Sequence, residues 1–433
     1  MEHGCEQAKD WTMISKKNVS ECYVYITLPG HTDPITAGRL EITTHANGIA
    51  LGRFVYGKQY LAHAERVEFD PVELRLANIT YETTHMRGMF GVIRDAGPDY
   101  WGRRVIERHV GKPQLSELDY LLHSPDDRAG ALSFGLNQKP PSPIRKFNQT
   151  IDLEKLQKIA DSITADEDLP INEATAQVAE LLLVGTSMGG ARPKVVVEDH
   201  DGLWLAKFNR SDDPWNNARV EHAMGNLARA CGINSAESLV SSIGGRDTLL
   251  VKRFDREKTA NGYYRSRMVS GLTLLRAQDT YQSKDSWSYL LLVEEMRRIS
   301  ARPQQDAVEL FKRMCFNALI SNTDDHPRNH AILAKDRNWG LSPAYDLTPS
   351  TPISLERREL AMSIGDAGRF ANAENILSQC QRFLMPRDDA VEIIKKMEKQ
   401  IAKSWYKTAR AAGVSERHCE LISGAFCYPG FRL

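Results

Sequence analysis

The sequence predicts an α+β chain in which a β-containing half precedes a mainly helical one. Three observations carry this. Short apolar strands punctuated by Gly and Pro fill the region up to about residue 90. Two further strand pairs, each joined by a polar turn that contains Gly, lie within 195–254. Beyond about residue 283 the apolar spacing becomes mainly helical.

Taken in order, 21–29 and 38–42 alternate apolar and polar residues, and 48–56 continues the pattern. Helical spacing follows at 100–110 and 116–122. The run K-P-P-S-P at 139–143 reads as a linker. Helices are expected at 153–162 and 174–183, separated by the acidic, proline-containing stretch 165–170. A hairpin is expected from 195–198 through the turn 199–202 into 203–208, and a second from 239–243 through 244–247 into 248–254. Between them 220–231 has helical spacing and stops at Gly232, a natural residue just past a helix end. Later helices are expected at 287–299, 307–320 and 389–411. The domain reading is a β-rich N-terminal subdomain over 1–140, the rest of the β-containing lobe over 141–255, and a helical lobe over 256–433.

Bulk composition narrows the function classes. A chain of 433 residues should form two or more domains. Its 42% hydrophobic and 26% charged content is that of an ordinary globular protein. Basic and acidic residues balance at 56 each, which argues against a chain that wraps nucleic acid by itself, although a partner could bring such a surface. The seven cysteines include no C-x-x-C pair, so structural zinc and a disulfide framework are not expected, and a reducing cytoplasm fits. Residues 1–17 lack the apolar core of a signal peptide, and no apolar run is long enough to span a membrane.

The most informative stretch is S-N-T-D-D-H-P-R-N at 321–329, with Tyr345-Asp346 further on. Asp324 stands five residues before Asn329, and Asp346 stands seventeen after it. Kinase catalytic loops place a base Asp and a metal-binding Asn at the first of these spacings, with a second metal-binding Asp downstream. Phosphoryl transfer needs a group to orient the hydroxyl nucleophile and hard oxygen ligands for Mg²⁺. Asp324 suits the first role, Asn329 and Asp346 the second. The bland reading is a polar turn after a helix. Asp325 competes as the base, but lies only four residues before Asn329.

Three upstream features are weak singly. The segment 185–194, G-T-S-M-G-G-A-R-P-K, can bring backbone N–H groups to phosphates, though it is neither a P-loop nor G-x-G-x-x-G. Lys207 ends an apolar strand and Glu221 lies in the next helix, the pairing by which kinases aim an ammonium at phosphates. The strand end L-L-V-K-R-F-D-R at 249–256 offers backbone to an adenine ring between lobes. Their order is the order a bilobal protein-kinase-like fold requires, and joint agreement outweighs each part.

These motifs resemble the HipA family of bacterial serine/threonine kinases, the toxins of type II toxin–antitoxin pairs. The resemblance rests on T-S-M-G-G-A-R-P-K at 186–194, Lys207, V-K-R-F-D-R at 251–256, T-D-D-H-P-R-N at 323–329 and A-Y-D at 344–346. P-D-Y-W-G-R-R at 98–104 and D-D-R-A-G-A-L at 126–132 add to it. It implies Asp324 as catalytic base and Asn329 and Asp346 as Mg²⁺ ligands. It implies an ATP site drawing on Gly189, Gly190, Ala191, Arg192, Pro193, Lys194, Lys207, Glu221, Lys252, Arg253, Phe254, His326, Asn329, Tyr345 and Asp346. Ser187 falls at the autophosphorylation position, where modification expels the loop and inactivates the kinase. The implied partners are a helix-turn-helix, HipB-like antitoxin dimer, operator DNA reached mainly through it, and a protein substrate. An aminoacyl-tRNA synthetase is a family-level option for that substrate, since no target motif is readable. Two departures stand out: Asp325 replaces the usual Gly, and Arg192-Pro193 replaces more polar residues. The alternatives are a small-molecule phosphotransferase on the same scaffold and a non-catalytic co-repressor module.

Overall fold

The computed structural model describes residues 21–45, 49–143, 147–149, 153–164, 192–351 and 354–432. The chain divides into two compact units. The first comprises Met1–Leu205, Asp255–Met268 and Lys335–Arg337, the second Ala206–Phe254, Val269–Ala334 and Asn338–Leu433.

In the first unit, strands β1 (Glu21–Thr27), β2 (Pro34–Thr44), β3 (Ala50–Tyr56), β4 (Thr80–Thr83) and β5 (Leu132–Gly135) form one sheet in the order β4-β3-β2-β1-β5. The pairings are antiparallel, with Leu40 opposite both Cys22 and Phe54. Alternation along β3 buries Gly52, Phe54 and Tyr56 and leaves Arg53 exposed, as a half-buried strand requires. Phe54 sits about rings of Tyr56, Phe69 and Phe90 in the core behind it. Buried phenols there are all paired: Tyr56 donates to Leu74 O at 2.6 Å, and Tyr60 to Val67 O at 2.6 Å. Gly52 is obligatory in β3, because a Cβ there would stand 1.8 Å from Gly88 O.

Helices α1 (Tyr100–Val110) and α2 (Glu117–His123) follow, with Asp99 and Ser116 as their N-caps. Ser116 and Asp119 form a reciprocal capping box. Beyond lie strand β6 (Asn148–Gln149), helix α3 (Leu153–Thr164) and strand β7 (Lys194–Asp199), which pairs parallel with β6. Asp199 Oδ1 accepts the N–H groups of Asp201 and Gly202 and turns the chain into β8 (Gly202–Phe208). The chain leaves the first unit within β8, at Leu205. A hairpin of Arg256–Thr259 with Gly262–Arg265 also belongs to this unit; the charged turn region hides its alternation in the sequence.

In the second unit helix α4 (Asn217–Ala230) is capped by Asn216, whose side chain accepts the Arg219 N–H. Its end is the expected glycine stop: Gly232 has φ +75°, and Ile233 N–H and Gly232 N–H return to Ala228 O and Arg229 O at 3.0 Å. Strands β9 (Ser238–Ile243) and β10 (Arg246–Lys252) pair antiparallel in the expected hairpin, but through the two residues Gly244-Gly245 rather than the expected 244–247, because Arg246 already pairs with Ile243. Then come the single-turn helix α5 (Gly271–Leu274), α6 (Tyr289–Ile299), α7 (Pro303–Leu319) and the long α8 (Arg387–Ala411). Helix α7 starts with Pro303 in its first turn and buries Leu310, Phe311, Met314, Cys315, Phe316 and Leu319, so it is the spine of this unit's core. The expected helix at 174–183 lies outside the described residues. Among the described residues no helix is long and apolar enough to cross a membrane.

Candidate active site

Every residue of the central constellation belongs to the second unit. Lys207 lies between the buried Ala206 and Phe208 near the end of β8. Its Nζ is 2.6 Å from Glu221 Oε1 on α4 and is also bound by Asp346 Oδ1. The Lys207 and Glu221 side chains are only 11% and 13% exposed. Burial pulls the Lys207 pKa down, but Asp346 and Glu221 more than offset it and hold it above the ordinary lysine value. The ammonium is therefore charged at any physiological pH. Two carboxylates facing one ammonium leave a net negative charge, an electrostatic slot for a further cation.

Asp324 and Asn329 come from the loop after α7. Ser321, in the left-handed region at φ +54°, turns the chain out of the helix, and Asn322 N–H returns to Asn317 O at 2.8 Å. His326 N–H reaches Asp324 O at 2.8 Å, and Pro327–Asn329 forms a single 3₁₀ turn closed by Asn329 N–H to His326 O at 2.9 Å. Asn329 is buried and donates Nδ2–H to Asp324 O at 3.3 Å, which directs the amide's remaining oxygen to act as an acceptor. Asp324 is exposed. Partial desolvation, with the neighbouring Asp346 and Asp325 charges, raises its pKa above the usual aspartate value against the opposing pull of His326 and Lys284.

The structure separates the two candidate bases. Asp325 is 1% exposed, and its Oδ2 accepts from the Tyr289 hydroxyl and from His330 Nε2 at 3.0 Å. A carboxylate so enclosed has no access to a substrate hydroxyl; Asp324 has. Asp346 occupies the left-handed region at φ +56°. Such a backbone costs about 1–2 kcal/mol for an L-residue, least for Asp and Asn. It follows the bridge in which Ala344 N–H bonds Asn234 O and Ala236 N–H bonds Ala344 O, both at 2.8 Å.

The remaining expected residues are distributed as follows. Tyr345 donates its hydroxyl to Arg328 O at 2.7 Å and packs its ring 5.6 Å from that of Phe254. Lys252 binds Glu237 with both its backbone N–H (2.9 Å) and its Nζ (3.1 Å), and Arg253 is buried. The His326 ring meets Trp287 edge-on at 6.4 Å, with Nδ1 buried and unpartnered among the described residues. In the first unit Lys194 is 2% exposed and its Nζ binds Asp99 Oδ2 at 2.7 Å. Lys194, which the resemblance places in the ATP site, is here a buried ion-pair partner at the start of β7, preceded by the buried Pro193. Ser187, Gly189, Gly190 and Ala191 lie outside the described residues, and Arg192 and Pro193 lead into β7.

Sequence reasoning missed Tyr289, Asn317, Asn322, His330 and Gly271, which surround the loop. Gly271 has the tightest fit: a Cβ there would stand 2.6 Å from Pro327 O, and its N–H donates to His330 O at 2.7 Å. Only its place directly after the strand Arg267–Ser270 could have drawn notice.

Residues 186–405 match the family model described as the HipA-like C-terminal domain. The chain belongs to this family. Lys207, Glu221, Asp324, Asn329 and Asp346 all fall inside its HipA-like domain. Among solved structures the chain is similar to HipA of Shewanella oneidensis MR-1, solved with HipB and its operator DNA. The TM-score is 0.66 at 15% identity, over 93% of this chain and 94% of that one. That likeness shows the fold: an α+β, kinase-like HipA architecture. "Putative kinase Y4mE" of Sinorhizobium fredii is 32% identical over 142 residues, 32% of this chain and 34% of that protein. A Haemophilus influenzae protein described as "Putative kinase" is 22% identical over 188 residues, 39% of this chain and 54% of that protein. The matches thus span about a third to a half of the length of these curated relatives.

Proposed function

We propose that this HipA-like chain is an ATP- and Mg²⁺-dependent serine/threonine protein kinase and the toxin of a type II toxin–antitoxin pair, arresting growth when unopposed. The observation that carries the reading is the convergence of Lys207, Glu221 and Asp346 on one ion cluster. It is joined by an exposed Asp324 five residues from a buried Asn329. A buried ion cluster beside an open carboxylate whose pKa is raised is the kind of arrangement that marks functional sites.

In this reading Glu221 holds the Lys207 ammonium toward the triphosphate, and Asp324 orients the incoming hydroxyl and takes its proton. Its raised pKa suits proton acceptance better than an ordinary aspartate's would. Asn329 and Asp346 supply hard oxygen donors, and one or two such groups beside phosphates is the donor set Mg²⁺ favours. The bound cation would neutralise charge on the transferring phosphoryl group. Lys252–Phe254 and Tyr345 would border the adenine, with His326 at the phosphate end. Ser187 would be the autophosphorylation site, where a phosphate adds about −1.5 to −2 charge beside the triphosphate.

The partner reading is a HipB-like helix-turn-helix dimer, with operator DNA bound mainly through it and the pair repressing its own operon. It is supported by the likeness to a HipA solved with both. Incubating the purified chain with Mg-ATP tests the enzymatic core. Protein phosphorylation that Asp324→Ala abolishes is expected, with the first phosphate on Ser187 by peptide mapping. Turnover of a metabolite without labelled protein would point instead to a small-molecule phosphotransferase, and ATP binding without transfer to a co-repressor module.

A further inference from the structure

Asp325 sits in the middle of a buried polar chain. His330 Nε2 contacts Asp325 Oδ2 at 3.0 Å. The Tyr289 hydroxyl donates to the same oxygen and itself accepts Asn317 Nδ2–H at 3.1 Å. Asn322 Nδ2 donates to Asn317 Oδ1 at 3.1 Å and to Asp346 O at 3.4 Å. Asp325, Tyr289, His330, Asn317 and Asn322 are all 2% exposed or less. Burial and the Asp325 charge hold the Tyr289 pKa well above its ordinary value, so the phenol stays a donor.

We infer that Asp325 is a positioning residue: the strut His330–Asp325–Tyr289–Asn317–Asn322 fixes the loop bearing Asp324 and Asn329 to the segment bearing Asp346. The geometry gives the strut three anchorages. The Asp325–His330 contact closes a short loop that contains the Pro327–Asn329 turn. Tyr289 and Asn317 tie that loop to α6 and α7. Asn322 carries the tie to the backbone of Asp346, the residue with the strained φ. A glycine at position 325 would lack the two bonds at the centre of the chain, those to the Tyr289 hydroxyl and to His330 Nε2. Low dielectric strengthens each bond of a buried polar chain, so the chain stiffens what it touches even though Asn322 Oδ1 and His330 Nδ1 have no hydrogen-bond partner among the described residues, and losing one member leaves its neighbours' groups unpaired. Asp325 touches neither the ammonium of Lys207 nor a position open to substrate, so it acts through its neighbours.

The catalytic arm of the test rests on the kinase reading; the structural arm does not. Asp325→Asn keeps the shape but presents an amide to two donors. In the full chain, hydrogen exchange in peptides covering 321–332 and 344–350 is expected to rise by about tenfold or more. Exchange in α8 should stay unchanged. With Mg-ATP, kcat is expected to fall by about 10–100-fold while KM for ATP moves little, as when groups supporting a site are removed. Tyr289→Phe, which deletes one hydroxyl, should show the same pattern more weakly and carries the test if Asp325→Asn does not fold. The two substitutions together should cost less than the product of their separate effects. Wild-type exchange in both segments, a uniform rise in exchange throughout the second unit, or additive effects on kcat would each overturn the strut. A wild-type chain that transfers no phosphate would sink the kinase reading, and the exchange pattern would still decide the strut.

Discussion

Lys207 Nζ and Glu221 Oε1 face each other at 2.6 Å across fourteen residues of sequence, and Asp346 closes on the same ammonium from 139 residues away. Strand, helix and downstream loop of the second unit thus meet at one charge. Replacing Lys207 with Met removes the ammonium that Glu221 and Asp346 share. A loss of about 1–3 kcal/mol, the scale of breaking buried charge-assisted hydrogen bonds, is expected by chemical denaturation. Phosphotransfer should fall by about 10²–10³-fold, the usual scale for removing one electrostatic stabiliser. Lys207→Arg should not rescue activity, because a planar guanidinium cannot take the place of a compact ammonium between two carboxylates. Full transfer by Lys207→Met would remove Lys207 from the site.

Asp324 gives the opposite stability result. Its folded pKa is raised, so the native state binds more protons than the unfolded chain between the ordinary aspartate value and the raised one. Stability from this group is therefore present at low pH and lost as pH rises through that window; at pH 7 the charged carboxylate weakens the fold. Asp324→Asn is expected to abolish phosphotransfer while leaving the pH 7 melting temperature equal or higher. In the wild type, transfer should fall on the acid side as Asp324 takes up its proton, with an apparent pKa above that of an unperturbed aspartate. A destabilised Asp324→Asn, or an acid limb at the ordinary aspartate value, would contradict this.

What the sequence displays is what is local. Helix α4 with its glycine stop, the β9–β10 hairpin and the α7 core stripe all follow from spacing and turn residues within a dozen positions. Lys207, Glu221, Asp324, Asn329 and Asp346 drew notice because the kinase pattern links residue types to an order along the chain, and the structure brings Lys207, Glu221 and Asp346 together. The strut was not legible. Tyr289 and Asn317 read as ordinary members of apolar helices, and their bonds to Asp325 and Asn322 run between elements that no periodicity relates. The Lys194 ion pair was not legible for a related reason: its partner Asp99 lies 95 positions earlier.

Gly271 tests how rigidly the loop is held. A Cβ 2.6 Å from Pro327 O needs the carbonyl or α5 to move. Overpacking of this kind costs about 1–3 kcal/mol. Gly271→Ala changes no group that touches nucleotide. It is expected to lower the melting temperature and to reduce phosphotransfer through displacement of the turn that follows Asp324 and carries Asn329. Gly424, which has open space at its Cβ position, supplies the control: Gly424→Ala should alter neither. Equal behaviour of the two variants would show that the loop yields without consequence.

Lys194 and Asp99 form an enclosed ion pair at the start of α1, with side chains 2% and 6% exposed and Nζ 2.7 Å from Oδ2. Asp99 Oδ1 meanwhile caps α1 by accepting the Gly102 N–H at 2.6 Å, and Trp101 Nε1 donates to Lys194 O at 3.1 Å. The pair therefore joins the start of β7 to the start of α1. Removing one partner of a buried pair costs about 3–5 kcal/mol, because the other charge stays buried. Lys194→Met is expected to lose stability on that scale in chemical denaturation. The double variant Lys194→Met with Asp99→Asn removes the orphaned charge yet keeps a capping oxygen, so it should recover a large part of the loss. If Lys194→Met instead left the fold intact and weakened only ATP binding, the lysine would belong to the nucleotide rather than to Asp99.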